Sequence, residues 1–464
     1  MSKCYVFAIG GTGSRVLRAL TMLLAGNVKI DTEEIVPIII DPDVSNADLT
    51  RAVKLMDCYN SIKECIGGGN CGFFNKKLSK LNTNYSIPVS NTSDMTFENF
   101  MDVASMSKEN QALVNMLFSK KNLKSSMKVG FKGNPNVGCV VLNQIIKSKQ
   151  FAEFANTFVE GDKIFIISSI FGGTGASGFP LLLKTLRKST DFPNYSIINN
   201  AEIGAISVLP YFRVRSSKES EIDSSTFVSK AVAALAYYED NIYRDKLINA
   251  FYFAGDDVAN VYDNNEGGHL QKNQAHLIEF IAATAIVDFC NNHYEPTQNL
   301  ELGIKDVTDE VNLGKFYKEI SEMVDGTLAR MLLFANCLRY KYEFISSPHF
   351  NANNLLDMKS DFYEGQFLRN LKSFLSSYLE WLMEMRDNVR SLNMFKVESG
   401  RTPFDIVPNV SPKSVHSIKS NYNLYYDRLN TAAAKLKRSS NRENNFVKMF
   451  YEATNKLVDE KINF

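Results

Sequence analysis

Runs of consecutive apolar residues alternate with longer amphipathic segments from the start of the chain to about residue 293. The runs are continuous and do not alternate with polar positions, which is typical of strands buried on both faces of a parallel sheet. The predicted strands are Tyr5–Ile9, Ile35–Ile40, Lys163–Ser168, Ile203–Leu209 and Ala250–Ala254. Helices are predicted over Gly13–Leu24 and from about Gly175 to Arg187. This pattern predicts an α/β fold with helices on both faces of a largely parallel sheet.

The pattern changes beyond about residue 312, where apolar residues recur at helical spacing without strand-like runs. The residues at this spacing are Phe374, Tyr378, Trp381 and Met385, and later Phe446, Phe450 and Leu457. We expect both stripes to lie in the core, with a partner-binding groove as the alternative. Residues 399–412 contain three prolines and are predicted to form a loop, and residues 43–126 are interpreted as an insertion of helices and loops.

These patterns divide the chain into two predicted domains. The first covers residues 1–293 and includes a long helix from about residue 273, and the second covers residues 294–464 and is mainly helical. A length of 464 residues is sufficient for two or three domains.

Composition and charge exclude several classes of protein. Hydrophobic residues make up 45% of the chain and charged residues 22%, which is typical of a folded globular protein and not of a disordered one. The net charge of +1 provides no overall basic field, so we expect no binding to nucleic acid. The first residues, MSKCYVFAIGG, lack the features of a signal peptide, and long uninterrupted apolar runs are missing, so we expect a cytoplasmic protein without membrane insertion. The seven cysteines form no CxxC pair and are expected to be reduced thiols, not metal ligands.

Three glycine-rich segments carry most of the functional information. The first, AIGGTGSRVL, places Gly10, Gly11 and Gly13 between a predicted strand and a helix. The second, SIFGGTGASGFP, begins at Ser169 in the same strand-to-helix context, and the third, VGFKGNPNVG, precedes another apolar helix at about Val140. Glycines allow the backbone to approach a phosphate closely, and a helix N-terminus offers unpaired N–H donors. The segments therefore predict a nucleotide-binding site.

The residues alone leave the nucleotide open. None of the three segments ends in the GK[ST] of a Walker A motif, so backbone amides and not a P-loop lysine are expected to bind the anion. The first segment alone fits NAD, FAD, a mononucleotide or a turn without a ligand. An NAD(P)-dependent enzyme built on GGTGSR and Asp41 is one alternative, although a dinucleotide-binding Rossmann domain needs only one such loop.

The set of motifs resembles the tubulin/FtsZ superfamily of GTPases, with the divergent bacterial tubulin-like proteins as the nearest members. GGTGASG is similar to the tubulin GGGTG[ST]G loop, and GFKGNPNVG is similar to the FtsZ loop GAGGNPxxG that senses the terminal phosphate. IGGTGSRV resembles the first loop of the family, Asp41-Pro42-Asp43 stands where FtsZ has Asn-Thr-Asp, and LPYF resembles the end of its fifth strand. The order and spacing of these segments match over residues 1 to about 290.

This resemblance implies a protein that binds GTP or GDP, with Mg²⁺ accompanying the nucleotide. It also implies head-to-tail assembly into filaments, with GTP hydrolysis completed by a carboxylate of the neighbouring subunit. The implied nucleotide-binding residues are Gly10, Gly11, Thr12, Gly13, Asp41, Asp43, Gly133, Asn134, Gly172, Gly173, Thr174, Gly175 and Asn273, the last at the base. The candidate catalytic carboxylates are Asp306 and Asp309, in the loop after the central helix.

The chain also departs from the family pattern. Phe171 replaces the first glycine of the second loop, and Ala176 and Ser177 replace a Ser/Thr-Gly pair. The acidic loop contains no NxDxxD motif, so solvent exposure without a catalytic role is the alternative for Asp306 and Asp309. These departures favour a second hypothesis, a GTP-binding interaction module that does not polymerise and whose helical C-terminal domain docks a protein partner, for example in a defence assembly.

Several polar residues have two interpretations each. Asp41 and Asp43 are predicted either to contact ribose or magnesium-bound water, or to cap the next helix. His276 and Glu279 form either a metal or acid/base pair, or an ordinary packed histidine with a neighbouring acid. Two basic segments are expected to be solvated, with phosphate or polyanion contact as the alternative: Arg213 with Arg215, and Lys435–Arg442.

Overall fold

A computed structural model describes residues 2–90, 92, 95–128, 130–215, 224–257, 260–263, 267–300, 303–305, 308–398, 400, 402–413, 421–436 and 441–464. The strands are β1 (Lys3–Ile9), β2 (Glu34–Ile40), β3 (Lys77–Leu78), β4 (Lys163–Ser169), β5 (Glu202–Val208), β6 (Phe212–Val214), β7 (Ala250–Ala254), β8 (Asn260–Tyr262), β9 (Gln298–Leu300), β10 (Glu310–Val311) and β11 (Ser391–Leu392).

The helices of the first part of the chain are α1 (Gly10–Ala25), α2 (Ala47–Ile66), α3 (Phe97–Phe100), α4 (Lys108–Leu117), α5 (Lys120–Lys124), α6 (Pro135–Leu142), α7 (Lys149–Thr157), α8 (Thr174–Lys188), α9 (Tyr195–Ile198), α10 (Phe227–Tyr238) and α11 (Leu277–Asn291). The later helices are α12 (Lys318–Ile345), α13 (Asn351–Leu356), α14 (Ser360–Tyr363), α15 (Gln366–Arg386), α16 (Asn421–Lys435) and α17 (Arg442–Lys461).

The central feature is a seven-stranded sheet with the order β3-β2-β1-β4-β5-β7-β9. Every neighbouring pair in this sheet is parallel. The last six residues of β1, β2, β4 and β5 are all buried. Because successive side chains point to opposite faces, both faces of the sheet are covered. The predicted α/β fold is confirmed, and the five predicted strands appear with bounds within a few residues.

The interpretation of residues 43–126 as an insertion is only partly correct. This segment begins with α2, a helix of 20 residues, and continues into β3, which pairs with β2 at the edge of the sheet. The segment up to Leu78 therefore belongs to the α/β layer itself, and only the short helices α3, α4 and α5 lie outside it. A two-residue strand carries too short an apolar run to be detected by pattern.

Residues after 312 are mainly helical, as expected. Both predicted stripes are core: Phe374 and Trp381 on α15 are fully buried, and so are Phe446 and Phe450 on α17. These side chains are therefore not a partner groove. No helix or strand occurs among the described residues of 399–412, which agrees with the predicted loop.

The later helices pack directly against the α/β layer. The ring of Phe374 lies 5.0 Å from that of Phe74, and Phe73 stacks on Phe334 at 5.3 Å. The carboxylate of Glu384 on α15 forms ion pairs with Arg18 at 2.5 Å and with Arg51 at 2.8 Å. One hydrophobic core therefore extends through both parts of the chain.

Within the described part of the chain, none of the helices has both the length and the hydrophobicity needed to cross a bilayer.

Candidate functional site

A cleft opens at the carboxyl edge of the sheet, where the strand order reverses between β1 and β4. Strand β2 lies on one side of β1 and β4 on the other, so the loops after β1 and β4 lead to their next strands in opposite directions. Such a switch point is where open α/β sheets bind ligands. The cleft encloses about 990 Å³ of empty space, part of it open to solvent.

Most of the sequence-predicted residues line this cleft. They are Gly10, Gly11, Thr12, Asp41, Asp43, Gly133, Gly172, Gly173, Thr174, Gly175 and Asn273. Gly13 and Asn134 lie outside the lining, although each belongs to a segment that contributes to it. The three glycine loops thus converge on one space, and their role in nucleotide binding stays a prediction.

Two helices direct uncapped N-termini at the cleft. Helix α1 begins at Gly10 and α8 at Thr174, and neither has a side-chain cap or an acidic residue in its first turn. Other helices differ among themselves in this respect: Asn46 caps α2 and Ser148 caps α7 with a side chain, whereas α10, α12 and α15 begin without a side-chain cap. The first-turn N–H groups of α1 and α8 therefore remain without the side-chain acceptor that usually satisfies them. An anion bound in the cleft would act as the acceptor for these N–H groups.

The glycines of the first loop have different physical roles. Gly10 has φ +75°, in the left-handed region, and a Cβ atom there would lie 3.4 Å from Cβ of Thr174. Gly13 instead packs α1 onto β1, because a Cβ atom at this position would come within 2.7 Å of the carbonyl carbon of Ala8. Gly13 is therefore required by helix–strand packing, which explains its absence from the lining.

The third loop packs against the start of α8. A Cβ atom on Gly173 would lie 3.0 Å from the backbone nitrogen of Gly133. Lys230 on α10 donates a hydrogen bond to the carbonyl of Gly133 at 3.0 Å. Asn134 is the N-cap of α6 without a side-chain cap hydrogen bond, and its backbone N–H donates to Phe131 at 2.8 Å.

Asp41 and Asp43 do not cap the next helix, since the cap of α2 is Asn46, whose side chain accepts from Asp48 and Leu49. Asp43 accepts hydrogen bonds from Ser45 Oγ at 2.8 Å and from the backbone of Gly268 at 2.6 Å. Asp41 is buried and accepts from the N–H of Asp43 at 3.0 Å. Burial raises the pKa of Asp41 to about 7, and the neighbouring charge of Asp43 contributes to the rise. The helix-cap interpretation is therefore wrong for both residues.

Asn273 lies in the segment that precedes α11 and is held by its backbone. Its N–H donates to Asp48 at 3.1 Å, and its carbonyl accepts from Arg51. Two residues earlier, Gln271 accepts from Asn46 at 2.8 Å. The central helix begins at Leu277 and not at about residue 273. Residue 273 thus keeps its predicted place at the cleft, although it lies outside the helix.

A buried arginine at the cleft was missed by sequence reasoning. Arg15 on α1 forms ion pairs with Glu279 at 2.5 Å and Asp48 at 3.0 Å, and it donates to Tyr211 at 2.7 Å and Thr12 at 3.2 Å. Burial alone would lower the pKa of Arg15, but these partners hold it well above its ordinary value. The network ties α1, α2 and α11 together beneath the cleft.

His276 is the N-cap of α11. Its Nδ1 accepts the N–H of Ile278 at 3.1 Å, while Glu279 accepts the N–H of His276 at 3.1 Å, which is a capping box. Burial lowers the pKa of His276 to about 4. Among the residues with a described position, no group of three potential metal ligands occurs. The metal or acid/base interpretation of this pair is not supported.

The two candidate catalytic carboxylates, Asp306 and Asp309, follow the central helix in the chain. Asp306 lies outside the described residues. Asp309 is fully exposed and lies 3.8 Å from Arg390, whose guanidinium also pairs with Asp256 at the carboxyl end of β7. Asp309 therefore lies at the same edge of the sheet as the cleft. Helix α11 ends at the opposite edge, where Asn291 bonds to the segment before β2. An acid that reaches the cleft of a head-to-tail neighbour would have to lie at that opposite edge.

The remaining basic candidates were expected to be solvated side chains, and the residues among them that the structure describes agree with that interpretation. Arg215 pairs with Asp263 at 2.9 Å, and both side chains are largely exposed. Arg213 is not part of the cleft lining. The stretch 435–442 lies partly outside the described residues, and Arg442 pairs with Asp361 at 2.9 Å.

Comparison with known proteins gives a remote structural similarity only. No family model and no curated protein matches the sequence. Among solved structures, the chain is similar to CetZ from Methanosaeta thermophila strain DSM 6194, with 16% identity, a TM-score of 0.27, and coverage of 55% of this chain and 46% of that chain. It is also similar to CetZ2 from Haloferax volcanii, determined as a GTPγS-bound protofilament, with 13% identity, a TM-score of 0.26, and coverage of 55% and 49%. The chain thus spans about half the length of the structures it matches.

Proposed function

We propose that this protein binds a guanine nucleotide, GTP or GDP, in the cleft at the carboxyl edge of the sheet. The observation that carries the proposal is the convergence of three glycine loops, two of them at uncapped helix N-termini, on one cleft at the switch point of a parallel sheet. The preference for guanine rests on the family resemblance of the motifs and not on a contact in the cleft.

The proposed orientation follows from the order of the loops across the cleft. The N-termini of α1 and α8 would bind the phosphates, and Asn273 would face the base. Asp41 and Asp43 lie after β2, on the side of the cleft near the segment that holds Asn273, and would face the sugar or water bound to Mg²⁺. Mg²⁺, when present, would neutralise phosphate charge. Gly13 would support the loop without contacting the ligand.

The proposal extends to a tubulin/FtsZ-like protein that assembles head-to-tail and hydrolyses GTP. The position of Asp309 at the cleft edge does not support a direct role for it in a neighbour's site. That position specifically favours the second candidate, a GTP-binding interaction module that does not polymerise. The helices after residue 312 pack on the α/β layer and would carry the partner-binding surface.

Replacement of Thr174 by Leu tests the site directly. Thr174 is the first residue of α8, with Gly10 on one side and Gly130 on the other, so a larger apolar side chain would occupy phosphate space. We expect at least about a 100-fold loss of GTP affinity, because the anion loses its donors. The matched control is Thr431→Leu on α16, remote from the cleft. Unchanged GTP affinity in a folded Thr174→Leu protein would contradict the proposal.

Light scattering with and without GTP and Mg²⁺ distinguishes the two candidate functions. GTP-dependent growth of scattering with phosphate release, both rising steeply with protein concentration, would support the filament-forming GTPase. Bound nucleotide with a constant small size would support the interaction module. If phosphate is released, the Asp309→Ala variant should turn over GTP at the wild-type rate, because Asp309 lies at the cleft edge of the sheet and not at the opposite edge.

A further inference from the structure

Helices α4 and α5 lie outside the α/β layer and carry a surface that the proposed function does not use. One face of α4 attaches this helix to the rest of the protein. Val114 on that face is buried, and Phe118, which follows the helix, packs its ring on that of Phe97 at 4.9 Å. These contacts fix the orientation of α4, so its opposite face points away from the protein.

The outward face of α4 is apolar. Leu113, Met116 and Leu117 are three and four residues apart, so their side chains share one face of the helix. Their exposed fractions are 53%, 85% and 63%. A surface helix normally turns such a face towards the core, and a contiguous apolar patch that stays exposed marks a site of interaction with a protein or a membrane.

Exposed lysines accompany this face. From residue 108 to residue 128 the chain has one acidic residue, Glu109, and five lysines: Lys108, Lys120, Lys121, Lys124 and Lys128. All five lysines are exposed, and within the described part of the chain none of them pairs with a carboxylate. Helix α5 begins three residues after Leu117 and buries Leu123, which leaves its lysines on the solvent side next to the end of α4. Because the whole chain has a net charge of +1, this positive charge is local.

An apolar face with lysines beside it is complementary to a surface that is anionic on the outside and apolar beneath. A bilayer that contains anionic lipids has this structure, since its headgroups attract lysines and the boundary of its acyl chains accepts apolar side chains. Nucleic acid would bind the lysines but leave the leucine and methionine side chains in water. A second copy of the chain would bring two sets of lysines together, which like-charge repulsion disfavours.

We propose that α4 and α5 bind the surface of an anionic lipid bilayer. Leu113, Met116 and Leu117 would lie at the boundary between headgroups and acyl chains, and the lysines would contact the lipid phosphates. This mode of binding lies in the plane of the interface and requires no membrane-spanning helix. The inference goes beyond the proposed function and is independent of it, because none of these residues lines the cleft.

Sedimentation of the full chain with lipid vesicles tests the contribution of charge. One set of vesicles contains phosphatidylcholine alone, and the other contains phosphatidylcholine and phosphatidylglycerol in equal amounts. We expect binding to the second set only, and we expect added salt to weaken it because salt screens exposed charges.

Two triple variants with the same net charge then locate the lysines responsible. The test variant combines three substitutions on α5: Lys120→Gln, Lys121→Gln and Lys124→Gln. The matched control replaces three exposed lysines that are scattered elsewhere: Lys29→Gln, Lys54→Gln and Lys435→Gln. The test variant should bind anionic vesicles about 10- to 100-fold more weakly than wild type, since each lysine near such a surface contributes roughly fivefold. The control should change by less than about threefold, because its lysines would lie away from the bilayer.

A tryptophan at position 116 tests the contribution of the apolar face. The single tryptophan of the chain, Trp381, is fully buried, so a second one at an exposed position reports its own surroundings. Met116→Trp should bind anionic vesicles more tightly than wild type, and its emission should shift to the blue, because tryptophan favours the membrane interface. Val232→Trp, at a position on α10 that is 62% exposed, should show neither effect. Met116→Asp should lower the affinity at least about tenfold without unfolding the protein, because this side chain is largely in solvent.

Several results would overturn the proposal. These are absence of vesicle binding by wild type, equal binding to both sets of vesicles, equal losses in the two triple variants, and an unchanged emission spectrum of Met116→Trp. Retention of an RNA oligonucleotide without vesicle binding would assign the lysines to nucleic acid instead. Dimerisation that Met116→Asp abolishes, without vesicle binding, would assign the apolar face to a second copy of the chain, and either result would overturn the role in lipid binding.

Discussion

At the scale of single residues, Asp41 in the cleft is expected to make the free energy of unfolding depend on pH. Burial raises its pKa to about 7, whereas an aspartate in an unfolded chain titrates near 3.9. Between these values the folded protein holds a proton that the unfolded chain has released. The free energy of unfolding therefore falls as pH rises from about 4 to about 7, and the loss is complete above the folded pKa.

Replacement of Asp41 by Asn removes this dependence. Relative to wild type, Asp41→Asn should gain stability between pH 5 and pH 8, by up to about 3 kcal/mol. Urea unfolding of both proteins at the two pH values, without nucleotide, measures the effect. Asp325, whose pKa burial also raises to about 7, is present in both proteins and cancels in the difference. An identical stability difference at pH 5 and pH 8 would show that Asp41 titrates normally.

A site residue can be predicted from the sequence when its role depends on residues nearby in the chain. Gly10 and Thr174 follow strands and begin helices, so their role in the chain is visible from neighbouring residues. Arg15 was missed because its partners Asp48, Tyr211 and Glu279 lie 33, 196 and 264 residues away.

At the scale of elements, the long buried strands and the helices that follow them could be predicted. The shortest strands and the exact start of α11 could not. Strands β3 and β9 have two and three residues, too few for a hydrophobic pattern, and they are recognised only by their pairing with β2 and β7. The start of α11 was misplaced because residue 273 was taken from the family resemblance, whereas the capping box at His276 marks the actual boundary.

The elements around the cleft are joined by the pairing of Arg15 with Glu279, which spans α1 and α11. Glu279→Ala should reduce the free energy of unfolding by about 3 kcal/mol, because it leaves a buried guanidinium with fewer partners. Asp240→Ala removes a comparable but exposed pair with Arg244 and should cost less than about 0.5 kcal/mol. Chemical denaturation of both variants checks the prediction. Equal effects of the two substitutions would mean that burial does not strengthen the Arg15 network.

At the scale of the whole molecule, the two predicted domains share one core. Tyr59 and Phe74 of the first part pack on Phe374 of the second, and Glu384 reaches back to Arg18 and Arg51. The change of pattern near residue 312 correctly indicated a change of secondary structure. It could not indicate how much apolar surface each part would bury against the other, because that depends on tertiary contacts.

A fragment of residues 1–293 would expose the surface that includes Phe73 and Phe74. We therefore expect it to aggregate or to unfold without a cooperative transition, and we expect co-expression with residues 294–464 to restore solubility. Size-exclusion chromatography and thermal unfolding of the fragment alone and of the co-expressed pair measure this. A soluble, cooperatively unfolding fragment would instead establish residues 1–293 as an independent domain.

The central claim is that the cleft holds a guanine nucleotide, and the most direct test is to identify what the purified protein carries. The protein is denatured with acid, the released small molecules are separated and identified by mass, and the stripped protein is titrated with GTP, ATP and NAD. We predict bound GDP or GTP, or GTP binding that ATP and NAD do not match, and its loss in Thr174→Leu. A nicotinamide cofactor, or no binding of guanine nucleotide by folded protein, would contradict the account.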